Sequence, residues 1–418
     1  MTVEMDMMLF VGRIDVFRQQ GIDVVLDKVQ EAGIESLLLG DLVIDGWPAF
    51  EADPSYYADA GMAPPEVAED VRDKVDTFRR AVEAAKGRGL KLYLHDWGQG
   101  AARASISYPQ SLAYGLARTR DVKRALPEID GYVLDGPEFG YEIEPGHRSD
   151  LLAPLDEPSE AEAAQHGYDV EAMRRDRVWL IDALHHIDIP SARRWLEGEL
   201  AVTDVVDLLM MRPGLLDALR FRAERILELL GAYRDGIKAL DPALAIACGP
   251  RISAFAPLTG YNYGALAQVV DFFCPKLYLW HEGIDGLKGT VGRYADTLVA
   301  WNPTLPESLA IDLVCKAFGL PLPGMHTLDD LHQPLSPAFF ERTLRSEIDK
   351  AVLRTGDPAK LRLFLGLHHG GVHMSTEEMR RILMVIEDSP CDQVVYWEYG
   401  DITDEQWAVL KHYRRGSA

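Results

Sequence analysis

Closely spaced cysteines are missing from this chain of 418 residues. Its four cysteines lie too far apart in sequence for a zinc finger or a redox Cys-x-x-Cys motif. Three of them, Cys248, Cys274 and Cys391, lie in or beside apolar strand candidates, so we expect buried free thiols. Unpaired thiols fit a reducing compartment.

Positive charge is also scarce, because 43 lysines and arginines face 66 acidic residues and give a net charge of −23. An acidic surface repels nucleic acids and anionic membranes, so we expect neither as a partner. No apolar run approaches the roughly 18 residues of a membrane span. The first residues also lack the basic and apolar segments of a signal peptide. We therefore expect a cytoplasmic protein.

A Gly-rich phosphate loop is missing after the first strand candidate, which disfavours a doubly wound nucleotide-binding sheet. What the chain does have is eight short apolar runs that alternate with amphipathic segments. This pattern predicts an α/β fold of the (β/α)8 TIM-barrel class. The predicted strands are Met7–Val16, Ile34–Leu39, Leu90–Leu94, Gly131–Leu134, Ala243–Cys248, Asp271–Leu279, Leu361–Leu367 and Gln393–Tyr396.

Two long connections interrupt the predicted barrel, which we expect to be a single domain over 1–418. The connection 141–240, after strand 4, is predicted to be a helical insertion with a long amphipathic helix, Leu215–Leu240. The connection 303–335, after strand 6, is a Pro-rich insertion. The insertion helices offer a surface on which a homo-oligomer contact would form.

Polar side chains end almost every predicted strand, which is where barrel enzymes gather their chemistry. Alternation along strand 6 places Lys276, Tyr278 and Trp280 on one face, and we expect that face to look into the barrel mouth. Trp397 and Glu398 are neighbours, so both point inward only if the strand bends there. The strand ends provide these substrate-binding candidates: Arg13, Asp15, Asp41, His95, Asp96, Trp97, Arg251, Lys276, Tyr278, Trp280, His281, His368, His369 and Trp397.

The segment Asp130-Gly-Tyr-Val-Leu-Asp-Gly-Pro-Glu138 is a strand that runs directly into a turn carrying two acids, Asp135 and Glu138. Glycoside hydrolysis needs two carboxyl groups about 5–9.5 Å apart. Three residues of extended chain span about 10 Å, and the Gly-Pro turn between these acids shortens that distance. Glu138 could therefore work with Asp135, or with Glu398 across the barrel. Like-charge repulsion from Asp135 would raise the pKa of Glu138.

Three motifs together resemble (β/α)8-barrel glycoside hydrolase-like proteins. They are the segment 130–138, Asp271-Phe-Phe-Cys-Pro-Lys-Leu-Tyr278, and Val395-Tyr-Trp-Glu-Tyr-Gly400. The first is similar to the chitinase pattern Asp-Gly-x-Asp-x-Asp-x-Glu, with Val133 in place of the middle acid and Glu138 one residue late. The resemblance implies a glycosidase that acts on a carbohydrate, with Glu138 as its acid/base and no cofactor.

Two other functions fit the same residues. A metal-dependent sugar isomerase or an amidohydrolase-like enzyme could draw ligands from the histidines and acids at the strand ends. The His-x-His motif of amidohydrolases is not found after strand 1, where Arg13-Ile-Asp15 stands, and we assign no metal ligands. A barrel that binds carbohydrate without catalysis is the second alternative.

Overall fold

The structure is a computed structural model that describes residues 5–12, 15–40, 51–66, 75–96, 105–143, 145–148, 152–198, 202–280, 286–369 and 372–413. Parallel strands form one sheet, in the order β6-β5-β4-β3-β2-β1-β11-β8-β7. A separate antiparallel hairpin joins β9 to β10. The strands are β1 Asp6–Val11, β2 Ser36–Leu39, β3 Lys91–Asp96, β4 Gly131–Leu134, β5 Ala245–Cys248, β6 Phe272–Phe273, β7 Lys276–Leu277, β8 Arg362–Gly366, β9 His368–His369, β10 Val372–His373 and β11 Gln393–Trp397.

The two ends of the sheet, β6 and β7, are consecutive parts of one extended segment, and this closes the sheet into a barrel. Pro275 separates them because proline has no N–H to donate to a ladder. β6 pairs with β5, while β7 pairs with β8. A further bridge joins Phe273 to Leu361, on the far side of the closure. Counting β6 and β7 as one strand gives eight, as the sequence pattern predicted.

Helices cover the outside of this barrel. Many begin with capping side chains that satisfy the first backbone N–H groups, such as the capping box of Ser375 and Glu378. The α-helices are Asp15–Gln20, Ile22–Glu31, Pro54–Tyr57, Val75–Gly87, Pro109–Ala125, Glu157–Gln165, Val170–Leu184, Ile189–Leu196, Val202–Met211, Pro213–Leu240, Ala256–Thr259, Tyr263–Leu266, Leu287–Trp301, Glu307–Phe318, Arg345–Thr355, Thr376–Glu387 and Asp404–His412. Shorter turns are the π-helix Phe339–Leu344 and the 3-10 helices Ala58–Ala60, Asp329–His332, Pro358–Lys360 and Tyr399–Asp401.

Strand alternation divides the core in two. Residues such as Phe10, Val133 and Phe364 fill the inside of the barrel, and their neighbours Leu9, Leu134 and Leu365 pack outward against the helices. The four cysteines are buried free thiols, in agreement with the expectation for three of them. None of the helices in the described ranges has the length and apolar character that crossing a membrane requires.

Several element boundaries differ from the prediction. The first strand ends at Val11, and Asp15 already starts a helix, so the predicted end at Val16 was wrong. Helix Pro109–Ala125 was not predicted, because its apolar residues are interrupted by arginines and threonine. The described part of segment 141–240 contains five helices, and the last, Pro213–Leu240, packs on Pro109–Ala125 beside the barrel. Segment 303–335 contains the helix Glu307–Phe318.

Candidate active site

The carboxyl ends of the strands form the barrel mouth, and Asp135 lies at the bottom of it. It directly follows β4 and continues the inward face of Val133. Its side chain is only 2% exposed. One carboxylate oxygen lies 2.7 Å from Lys276 Nζ, and the other lies 3.1 Å from His95 Nε2. Strands β3, β4 and β7 therefore bring an imidazole, a carboxylate and an ammonium together.

The charges around Asp135 determine its protonation. Burial alone would raise the pKa of this carboxyl, because the charged form loses water. The ammonium of Lys276 and the hydrogen bond from His95 outweigh burial and hold the pKa well below its usual range. Asp135 is therefore an ionised carboxylate at neutral pH, and Nε2 of His95 donates its proton to it.

Glu138 follows three residues later and is held by Arg251, which comes just after β5. Arg251 Nε donates to Glu138 Oε2 at 2.9 Å, and a second guanidinium nitrogen contacts Oε1. The chain between the two acids turns at Gly136, whose φ of 113° is one that L side chains rarely adopt. The two acids of the predicted pair thus contact different cations, Lys276 for Asp135 and Arg251 for Glu138.

Aromatic side chains line the mouth beside this pair of acids. Tyr278 stacks on Trp280 with ring centroids 4.3 Å apart, and it meets Trp397 edge-on at 5.8 Å. Burial, followed by the nearby charge of Asp135, raises the pKa of Tyr278 well above its usual value. Among the described atoms its hydroxyl has no hydrogen-bond partner. The inward orientation predicted for Lys276, Tyr278 and Trp280 is confirmed.

An open cavity of about 480 Å³, here called the first cavity, lies at the ends of β8 and β11. Trp397 and Glu398 both line it, so these neighbours do share one site. Gly12 makes room for the acid, since a Cβ there would lie 2.3 Å from Glu398 Oε2. The other polar residues of the lining include Asp15, Gln19, Gln20, His368, His369 and Asp401.

Two histidines of the first cavity occupy different surroundings. His368 Nδ1 lies 3.3 Å from a carboxylate oxygen of Asp401. The ring of His369 stacks on Trp280 at 4.7 Å. Burial lowers the pKa of His369, and the neighbouring His368 and Arg293 lower it further. His369 is thus a neutral aromatic wall, whereas His368 carries an acid partner.

Some predicted site residues lie elsewhere. Asp96 is the outward neighbour of His95, and its carboxylate lies 3.7 Å from Arg118 on helix Pro109–Ala125. Alternation explains this, because consecutive strand residues face opposite sides. The sequence candidates Arg13, Asp41, Trp97 and His281 lie outside the described residues.

The acids and histidines of the mouth do not form a cluster of three convergent metal ligands within the described ranges. Among the described residues, the group that meets this geometry is Glu162, His166 and Glu228, in and just after helix Glu157–Gln165 and in helix Pro213–Leu240. Arg225 donates to both of these glutamates at 2.8 Å. A single guanidinium thus bridges the two acids of that group.

Glu142 was not singled out from the sequence, although it ends the segment that carries Asp135 and Glu138. Its side chain is 15% exposed, it accepts a hydrogen bond from Thr290 at 2.9 Å, and it lies 3.7 Å from Arg293. Burial raises its pKa. A possible sequence signal was the pair Thr290 and Arg293, three residues apart on one helix face.

Comparisons with known proteins point to one class of barrel. No protein-family model matches the chain, and no curated protein matches its sequence. The glycoside hydrolase domain of PgaB (BpsB) from Bordetella bronchiseptica is 12% identical, with a TM-score of 0.52, and the match covers 99% of this chain and 100% of that one. A β-galactosidase from the psychrophilic Marinomonas ef1 is 10% identical, also with a TM-score of 0.52. That match covers 98% of this chain but only 58% of the galactosidase chain.

The chain therefore has the barrel fold of glycoside hydrolases. The resemblance predicted from three short motifs is confirmed at the level of the fold.

Proposed function

We propose that the protein is a glycoside hydrolase that cleaves an O-glycosidic bond with carboxylates of the barrel mouth. The observation that carries the proposal is Asp135, an ionised carboxylate on the inner face of the fourth strand, between Lys276 and His95. The transition state of glycoside hydrolysis is positively charged, and a fixed carboxylate stabilises it. The fold shared with glycoside hydrolases supports the same class.

The roles of the acids follow from their surroundings. Asp135 is a poor proton donor because its pKa lies below the usual range, so it serves as the electrostatic stabiliser. Glu138 is the proposed acid/base, and it must leave Arg251 to donate a proton to the leaving group. Glu398, in the first cavity, is the proposed second carboxylate.

Substrates with different leaving groups test this division. An acid/base variant loses most activity on glycosides with poor leaving groups and little on 2,4-dinitrophenyl glycosides, which need no protonation. For Glu138→Gln we expect a loss in kcat/KM of about 10²–10⁴-fold on the former. Glu398→Gln should lose activity on both kinds of substrate.

Glu128→Gln is the matched control, because Glu128 is exposed and lies before β4, at the opposite end of the same strand. It should keep full activity on aryl glycosides of both anomers. If Glu138→Gln turned over all substrates as fast as the wild-type protein, Glu138 would have no part in the mechanism. Loss of turnover in a chelator would favour the metal-dependent alternative instead.

A further inference from the structure

A second cavity of about 340 Å³ lies beside the first, against the ends of β7 and β8. Ring contacts join the linings of the two cavities. His369 lines the first cavity and stacks on Trp280, which lines the second. In the same way His368 of the first cavity meets His373 of the second, with ring centroids 4.1 Å apart. A ligand in the second cavity would thus be the neighbour of one in the first.

A buried lysine lines this second cavity. Lys288 stands in the first turn of helix Leu287–Trp301 and is 4% exposed. Its ammonium donates to the carbonyl oxygen of Gln333 at 2.8 Å. Among the residues that the structure describes, no carboxylate lies within ion-pair distance of Nζ.

One described acid, Glu378, acts on this ammonium but has hydrogen-bond partners of its own. Glu378 attracts Lys288, but its Oε2 accepts hydrogen bonds from the N–H and hydroxyl of Ser375, at 3.0 and 2.8 Å. A buried ammonium without an anion is costly. Burial lowers the pKa of Lys288 to about 8, against the smaller opposing effect of Glu378. An anion in the cavity would remove that cost.

We propose that the second cavity binds a carboxylate carried by the sugar substrate, with Lys288 as its cation. The substrate class would then be acidic glycosides such as uronosides, and this assignment of a substrate rests on the proposed function. The volume suits a small ligand or a single sugar ring. The net charge of −23 does not oppose it, because exposed charges are screened beyond about 8 Å at physiological salt.

The kinetic test compares 4-nitrophenyl glycosides with their uronoside counterparts, which carry a carboxylate at C6. Wild-type protein should prefer the uronoside, and Lys288→Met should lower the ratio of the two kcat/KM values at least about ten-fold, as expected for a lost charge-assisted hydrogen bond. Lys316→Met, at an exposed lysine with the same chemistry, should leave the ratio unchanged. An unchanged ratio in Lys288→Met would overturn the inference while the proposed function stands.

Binding without turnover separates the two proposals. Glucuronate should raise the melting temperature of the wild-type protein and not that of Lys288→Met, while glucose should act on both alike. This result in a protein that hydrolyses no glycoside would support the carboxylate site and overturn the proposed function. A stronger Lys288-dependent shift with a sulfated sugar than with glucuronate would overturn the assignment of a carboxylate.

Discussion

Two lysines of this protein are almost equally buried but have different partners. Lys276 is 3% exposed and Lys288 is 4% exposed. The ammonium of Lys276 lies 2.7 Å from a carboxylate oxygen of Asp135, whereas that of Lys288 is bonded to a backbone carbonyl. Lys276 thus has a fixed carboxylate as its partner, whereas Lys288 donates to a backbone dipole and is attracted by Glu378 without an ion-pair contact.

The difference separates two kinds of polar site. The pair of Lys276 and Asp135 is complete in the absence of a ligand, so it forms a permanent electrostatic frame for the mouth. The cavity of Lys288 lacks such a partner among the described residues, so its electrostatics are completed only by something that enters it. Substituting either lysine, or an acid beside it, tests this comparison.

The largest effect is expected from Lys276→Met. It removes the cation next to Asp135 and leaves a buried carboxylate whose remaining hydrogen bond, among the described residues, comes from His95. Breaking a buried pair in this way costs about 3–5 kcal/mol. The free energy of unfolding in urea at pH 7 measures the loss.

The double variant Lys276→Met/Asp135→Asn is the control for this experiment. Removing both charges avoids the unpaired anion, so the double variant should be more stable than Lys276→Met alone. If the two effects simply added, Lys276 and Asp135 would not act as a pair.

The second effect is the acid sensitivity that Asp135 gives the protein. Its pKa is lower in the folded protein than in the unfolded chain, so its contribution is present above the unfolded value of about 3.9. The contribution is lost as the pH falls through the folded value. Asp135→Asn should therefore be less stable than wild type at pH 7, and the difference should shrink below about pH 4. A difference that stayed constant with pH would exclude the ionised form as its source.

The inward position of Lys276 could be predicted from sequence, because strand alternation determines which side chains face the barrel interior. Along the extended segment 272–280, every second residue faces inward, which placed Lys276 and Tyr278 in the mouth. The eight strands followed from similar local patterns. The partners of the site residues could not be predicted from such patterns. The contact of Glu138 with Arg251, for example, depends on how two loops turn after their strands.

The burial of Lys288 could not be predicted from sequence. Lys288 belongs to a helix whose first turn gives no sign of burial, and its partner Gln333 is 45 residues away. The outward orientation of Asp96 was within reach, since the same alternation that turns His95 inward turns its neighbour out.

A smaller effect of opposite sign is expected from Lys288→Met. Replacing a buried ammonium by an apolar side chain of similar length should stabilise the protein by about 1–3 kcal/mol at pH 7. The pKa of Lys288 falls from 10.5 to about 8 in the folded protein, so between these values the unfolded chain holds more protons. The stability of the wild type therefore rises with pH through this window, and the advantage of the variant should fade.

Melting temperatures from pH 7 to 10.5 measure this effect, with Lys316→Met as the control that should show no such trend. The other titrating groups that line the cavity are Glu378, His332 and His373. They remain in both proteins, so the difference between the two curves reports Lys288. A variant that is less stable than wild type at pH 7 would show that the ammonium is already compensated.

The smallest effect is expected from Glu378→Gln. This variant tests how much the carboxylate of Glu378 compensates the charge of Lys288. Glutamine also suits the third position of a capping box, so the bonds with Ser375 should persist and only the charge is removed. Glu378 raises the pKa of Lys288, so the variant should titrate this lysine at lower pH. The cost in stability should be a few tenths of a kcal/mol, as for other weak charge pairs.

Titration of a ¹³C-methylated Lys288 by NMR measures the change in the pKa of this lysine. A shift to lower pH would show that Glu378 partly compensates the ammonium, whereas an unchanged titration would leave the Gln333 carbonyl as its sole described partner.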